Sequence, residues 1–152
     1  MKVYTEPRMH TAEHILNQTM VRMFGRGRSF SSHIEKKKSK CDYRFDRDLT
    51  QEEVLEIERR VNEVVQRDLP VTEAFITRAQ AEQSFNLERL PDQAGDTIRI
   101  VSVGEYDACP CSGDHAASSG EIGEFRIIST SHENGVLRIR FRVSEATSSS
   151  ST

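Results

Sequence analysis

The feature that most constrains this fold is a pair of ligand-type motifs near opposite ends of the sequence. His10-Thr11-Ala12-Glu13-His14 spaces two imidazoles four residues apart. Far downstream, Cys109-Pro110-Cys111-Ser112-Gly113-Asp114-His115 packs two thiols and an imidazole into seven residues. Zinc accepts imidazole nitrogen and thiolate sulfur in a tetrahedral shell. His10, His14, Cys111 and His115 therefore read as one four-ligand metal site. Such a site forces an N-terminal segment against a C-terminal loop, so both ends belong to one domain. At 152 residues the chain is long enough to bury a core around it.

The spacing predicts a helix over residues 8–24. On a 3.6-residue wheel, Ala12, Ile15, Leu16, Thr19, Met20 and Met23 share one side. His10 and His14 fall nearly opposite, flanked by Glu13, Asn17 and Gln18. The apolar side can pack on a core while both imidazoles face a polar space. Taken alone, the helix fits two surface histidines equally well. The i, i+4 spacing stacks the rings on adjacent turns, as a shared metal ion requires. It is not the metalloprotease signature H-E-x-x-H.

The rest of the chain alternates helices and strands. Gly25 to Ser29 ends the first helix. Residues 30–35 and 40–45 read as short strands, with Cys41, Tyr43 and Phe45 on one face and Cys41 a core thiol. Residues 51–67 form the clearest helix, with Thr50 and Glu53 as a capping box and Leu49 and Val54 placed for a hydrophobic staple. Its apolar stripe is Val54, Ile57, Val61, Val64 and Val65, and Pro70 stops it. This helix reads as purely structural. A strand over 71–76, a short helix capped by Thr77, a polar loop over 86–95 and a strand over 98–103 lead to the Cys/His loop. Residues 118–123 are a turn. Residues 125–129 and 136–143 pair as a hairpin through Asn134-Gly135. The fold class is α+β: a single domain, residues 1–144, with a mixed or antiparallel sheet packed with helices. Residues 145–152 form a Ser/Thr tail expected to be disordered.

Composition excludes several classes. Charged residues make up 30% and hydrophobic residues 36%, and no apolar run approaches the roughly 20 residues of a membrane helix. No apolar signal core opens the sequence, so a cytoplasmic protein with no membrane association is expected. Three cysteines without an export signal argue for reduced thiols used as ligands or nucleophiles. The net charge of −3 does not advertise nucleic-acid binding. Three basic clusters nonetheless stand out: Arg22, Arg26 and Arg28; Lys36, Lys37, Lys38 and Lys40; Arg138, Arg140 and Arg142. Each reads as a solvated surface or as part of a phosphate-contacting face.

Four protein ligands close a zinc shell, which is the pattern of a structural site. A catalytic role needs either five-coordination or one of the four acting as a base instead. Cys109 reads as a further ligand, a nucleophile or a buried thiol.

Four segments occur in a telling order: H-T-A-E-H-I-L at 10–16, the C-x-x-x-H at 111–115, S-G-E-I-G-E-F-R-I at 119–127 and G-V-L-R-I at 135–139. Together they resemble the editing domain, the second additional domain, shared by alanyl- and threonyl-tRNA synthetases. Free-standing AlaX-type alanyl-tRNA editing proteins carry the same domain. The resemblance spans roughly residues 8–143. The His-Thr-Ala opening and the Gly-Glu-Ile-Gly-x-Phe run lean toward the alanyl branch. The family's second motif is usually Cys-Gly-Gly-Thr-His or Cys-x-Gly-Pro-His, whereas this chain has Cys-Ser-Gly-Asp-His. The family's acidic residue two positions before the Cys is here Cys109.

The resemblance implies a trans-acting deacylase that hydrolyses the ester of mischarged tRNA, Ser- or Gly-tRNA(Ala), by zinc-assisted water attack. It implies His10 and His14 as general base or water-positioning groups, and His10, His14, Cys111 and His115 as zinc ligands. The departing residues Cys109, Ser112 and Asp114 would meet the substrate. Lys36, Lys37, Lys38, Arg138 and Arg140 would contact the tRNA acceptor end. Two rival readings are a related metal-dependent hydrolase of another small ester or amide that has lost tRNA binding, and a non-catalytic zinc-stabilised module.

Overall fold

A computed structural model describes residues 6–84, 97–111 and 113–144. The expected 86–95 loop, the Ser/Thr tail and Ser112 lie outside the described residues.

The first helix, α1 (Pro7–Phe24), begins with Pro at its first turn, where the missing N–H costs nothing. It ends at Gly25, whose φ of 68° lets its N–H reach the Val21 carbonyl. Of the next strands, β1 (Ser31–His33) is shorter than the sequence suggests, and β2 (Ser39–Arg44) matches the expected strand with a one-residue shift. Cys41, Tyr43 and Phe45 are buried on one face, so Cys41 is a core thiol. Helix α2 (Gln51–Arg67) carries the expected capping box: Thr50 accepts from the Glu53 N–H, and the Glu53 carboxylate accepts from the Thr50 N–H. It ends at Asp68, which takes a left-handed conformation two residues before Pro70.

Strand β3 (Val71–Thr77) leads into the short helix α3 (Arg78–Ser84), where Thr77 and Gln80 exchange side-chain-to-backbone bonds. Strand β4 (Thr97–Val103) is followed by β5 (Asp107–Pro110). The stretch leading from the 98–103 strand into the Cys/His loop is not loop throughout: Asp107 to Pro110 pair with β4. β5 is an edge strand, and Pro110 is tolerated there because an edge strand has one side without a neighbouring strand, where a missing N–H costs no ladder bond. Strands β6 (Phe125–Glu133) and β7 (Val136–Val143) form the expected hairpin. Asn134 and Gly135 take φ of 55° and 78°, as a tight two-residue turn demands. β6 runs longer than expected because a bulge between Ile127 and Ser129 keeps it in register with β7.

Among the described residues every strand pairing is antiparallel, in two sheets ordered β1-β2-β7-β6 and β3-β4-β5. The main core lies between α1, α2 and the four-stranded sheet. It joins Ile15, Leu16 and Met20 with Ile57, Val61, Tyr43, Phe125, Leu137, Ile139 and Phe141. Glu58 and Asn62 on α2 bond the backbone of β6 at Ile127 and Phe125, covering a sheet edge. That supports the structural reading of α2. The Ser119–Glu121 turn docks on the end of α2, where the Ser119 hydroxyl donates to the Val64 carbonyl and accepts from the Leu69 N–H. Arg8, in the first turn of α1, bonds the Ile122 carbonyl. The Ser-Gly-Glu-Ile-Gly run thus fastens both helices near the Cys/His loop.

Candidate metal centre

The site begins with the unusual burial of α1. Ala12, Ile15, Leu16 and Met20 face the core as the wheel predicts, but His10, Glu13, His14 and Asn17 are buried too. Their polar side is covered by β5, by the loop after it and by the segment after α1. Each polar group has a partner, as burial requires. Ser32 donates to Glu13 at 2.6 Å, and Asn17 accepts from Tyr43 and from the Ser29 N–H. Thr11 accepts from the Ala116 N–H, tying the loop to the helix backbone.

The four predicted ligands come together. One donor atom from each of His10, His14, Cys111 and His115 lies within 4.8 Å of the others. The His14 and His115 Nε2 atoms are 2.9 Å apart, and Cys111 Sγ lies 3.3 Å from His10 Nε2. A tetrahedral zinc with bonds of about 2.0–2.3 Å holds its donors roughly 3.3–3.8 Å apart. The donor set and its spacing fit such an ion after small adjustments. The site's electrostatics point the same way. Although burial opposes it, the polar contacts with the His10, His115 and His14 rings push the Cys111 thiol down to about 3, which favours the thiolate. Burial lowers His115, so its ring stays neutral. Burial also works against charging His14, but Asp107 and Cys109 outweigh it and raise the imidazole well above its ordinary value. A metal ion would replace that proton as the thiolate's counter-charge.

Two of the imidazoles are fixed from behind. His10 Nδ1–H donates to the Asp114 carbonyl at 3.1 Å, leaving Nε2 to face Cys111. His14 Nδ1 faces the Asp107 carboxylate at 3.3 Å and Cys109 Sγ at 3.0 Å, leaving Nε2 to face His115. The carboxylate is the stronger acceptor for that one hydrogen. Asp107 is itself buried, and against the effect of burial, His14 and Arg28 hold its carboxyl well below the usual carboxylate range. Arg99 fixes the loop: its Nη1 donates to the Cys111 and Gly113 carbonyls at 3.2 and 2.8 Å.

Of the residues expected to meet substrate, Cys109 is buried on β5 beside His14 and Arg28. The Asp114 side chain is exposed, and its contact with the site is through its backbone carbonyl. Lys36, Lys37 and Lys38 occupy the exposed turn between β1 and β2. Arg138 and Arg140 lie on the outer face of the four-stranded sheet, where Arg138 forms a two-pronged pair with Asp42. These basic residues belong to the four-stranded sheet, whereas the cluster sits between α1 and the loop after β5. Arg28, grouped by the sequence with surface arginines, instead turns inward onto Asp107. No local pattern identifies Arg28 or Arg99 as site residues, because their partners are distant in the chain.

A cavity of about 180 Å³ adjoins the cluster, lined by His115, Ala116, Val71, Thr72, Glu73 and Arg99 among others. A larger cleft of about 570 Å³ lies away from it, between the end of α2 and residues 120–124, and its lining holds no His or Cys. Of the two, the smaller is the one that a residue of the cluster, His115, lines.

Residues 98–140 match the family of the threonyl and alanyl tRNA synthetase second additional domain, so this α+β domain carries that family's signature over β4 to β7. Across most of its length the chain is similar to alanine–tRNA ligases. That of Methanopyrus kandleri is 34% identical over 143 residues, covering 91% of this chain and 16% of the ligase. Those of Methanococcus maripaludis and Fervidobacterium nodosum are 32% and 33% identical over 138 and 134 residues, covering 88% and 87% of this chain and 16% of each ligase. The chain thus spans about one sixth of the length of these curated relatives (16%). They fall on the alanyl side of the resemblance. Among the described residues, no helix is long and apolar enough to cross a membrane.

Proposed function

We propose that this chain is a cytoplasmic aminoacyl-tRNA deacylase that hydrolyses the ester of mischarged tRNA, Ser- or Gly-tRNA(Ala), supplied in trans. The observation that carries this reading is the convergence of His10, His14, Cys111 and His115 on one point, in a chain carrying the second-additional-domain signature.

In this reading the four residues hold a zinc ion. When bound, zinc supplies Lewis-acid polarisation of an ester carbonyl and activates water at neutral pH. The remaining roles belong to the chain. His10 and His14 keep fixed orientations through the Asp114 carbonyl and Asp107, with Nε2 turned into the site; whichever of the two the ion did not engage would act there as general base or position the attacking water. His115 lines the small cavity, and its Nδ1 has no hydrogen-bond partner among the described residues. It is the imidazole best placed to turn toward an aminoacyl group. Cys109, Ser112 and Asp114 remain the positions where this loop departs from the family, so substrate preference is assigned there. Lys36, Lys37 and Lys38, with Arg138 and Arg140, are assigned to tRNA phosphates. The exposed lysines are the stronger candidates, because Asp42 already pairs with Arg138.

A second reading rests on one specific observation. All four donors are protein groups, which fits a closed, purely structural zinc. The test is a deacylation assay with purified protein. Release of serine or glycine from Ser-tRNA(Ala) or Gly-tRNA(Ala) supports the enzyme. If both stay intact, and Ser-tRNA(Thr) as well, the enzyme reading fails.

A further inference from the structure

Asp107 sits at the start of β5 with its side chain fully enclosed, and its carboxylate collects four contacts. Oδ1 accepts from Arg28 Nη1 at 2.6 Å and Gln18 Nε2 at 2.9 Å. Oδ2 accepts from Arg28 Nη2 at 3.2 Å and faces His14 Nδ1 at 3.3 Å. Two of these donors lie on α1, one turn apart. The third comes from the segment just after it. The carboxylate therefore cannot shift without breaking a bidentate guanidinium pair, the strong form of such contacts.

We propose that the Arg28–Asp107 pair is a positioning device for His14, fixing the hydrogen on Nδ1 and aiming Nε2 at the metal position. The inference rests on the metal-binding reading of the cluster and deepens it. The geometry carries it. An imidazole that ligates through one nitrogen needs its other nitrogen held, and a carboxylate is a strong holder. Asp107 is the carboxylate at that nitrogen, and Arg28 locks it from the far side. Cys109 Sγ, at 3.0 Å from the same Nδ1 and 3.4 Å from Arg28 Nη2, closes the remaining side of the ring. A purely structural ion pair between Arg28 and Asp107 would not need the fourth contact, to His14.

The test is zinc affinity, measured by competition with a chromophoric chelator on the full chain, for the wild type, Asp107→Asn, Arg28→Gln and the control Asp42→Asn. Asp42 is also an acid bonded to an arginine, but on the four-stranded sheet. Asp107→Asn is expected to bind zinc roughly 10- to 100-fold more weakly. Arg28→Gln keeps the carboxylate but loosens it, and is expected to lose several-fold. Asp42→Asn should match the wild type. Nitrogen-15 NMR of the histidine rings gives a readout that a structural role would not move. The zinc-loaded wild type should show His14 with hydrogen on Nδ1 and none on Nε2, and both site variants should lose that single signature. If Asp107→Asn fails to fold, Arg28→Gln carries the test. Wild-type zinc affinity with an unchanged His14 signal in the folded variants overturns the proposal, as does a wild-type chain that takes up no zinc. None of these readouts uses tRNA, so loss of the deacylase reading alone would leave them unchanged.

Discussion

His10 on α1 and Asp114 in the loop after β5, 104 residues apart in sequence, are joined by a 3.1 Å bond from the imidazole Nδ1–H to the backbone carbonyl. The contact closes the two ends of the domain over the cluster without using the Asp114 side chain. Replacing that side chain should therefore spare the cluster. Asp114→Ala is expected to keep zinc affinity within about two-fold of wild type, while any effect on choice among aminoacyl groups appears in the deacylation rates. Equilibrium competition for zinc checks the first part. A loss like that of a missing ligand would show that the side chain, not the carbonyl, matters.

His10→Ala removes both a donor and this closing bond, yet touches none of the core face of α1. It should lower ester hydrolysis by at least about 100-fold, the lower range for losing a positioned catalytic group. Circular dichroism should still show a folded protein. Collapse of the fold on this single change would favour the structural-zinc reading.

Metal removal separates the same two readings. The main core, from Ile15 and Leu16 to Phe141, contains none of the four donors. Chelation is expected to lower the melting temperature by several degrees while unfolding stays cooperative. A chain that unfolds outright in chelator at room temperature would mark the ion as the fold's main support.

The α2 capping box predicts an acid-dependent stability difference. Hydrogen bonds from Arg47, at 2.8 and 2.9 Å, and from Thr50 lower the Glu53 carboxyl from 4.5 to about 2. A carboxyl lowered by folding stabilises the folded state above its unfolded value and loses that contribution as pH falls through the folded one. The pair is largely solvated, so screening cuts its worth to about 1 kcal/mol. Glu53→Gln should be less stable than wild type by about that much at pH 7. The gap should close as pH falls from 4.5 toward about 2. Urea unfolding across that range measures it.

The basic residues should differ in their effect on tRNA. Neutralising Lys36, Lys37 and Lys38 together should weaken tRNA binding and flatten its salt dependence, because each phosphate contact contributes up to about 0.9 to the log–log slope. Arg138→Ala should change binding little, since its guanidinium is already matched by Asp42. Filter binding at several salt concentrations tests both.

Much of the site was legible in the sequence because its signals are local. The i, i+4 histidines, the C-x-x-x-H, the Thr50/Glu53 capping box and the Asn134-Gly135 turn each need only a few neighbouring residues. The remainder depends on tertiary contacts. The wheel separated an apolar from a polar face of α1 correctly but could not say that the polar face is also covered. β5 was hidden because Pro110 and the nearby glycines read as breakers, although an edge strand tolerates a terminal Pro. Arg28 looked like a surface charge because its partner Asp107 is 79 residues away.

The most direct measurement is the rate of serine release from Ser-tRNA(Ala) by the zinc-loaded wild-type chain and by Cys111→Ala. Rapid release by the wild type is expected, with a fall of at least about 100-fold on losing the thiolate. Equal rates for the two proteins, or a wild type that leaves the ester intact, would contradict the deacylase reading.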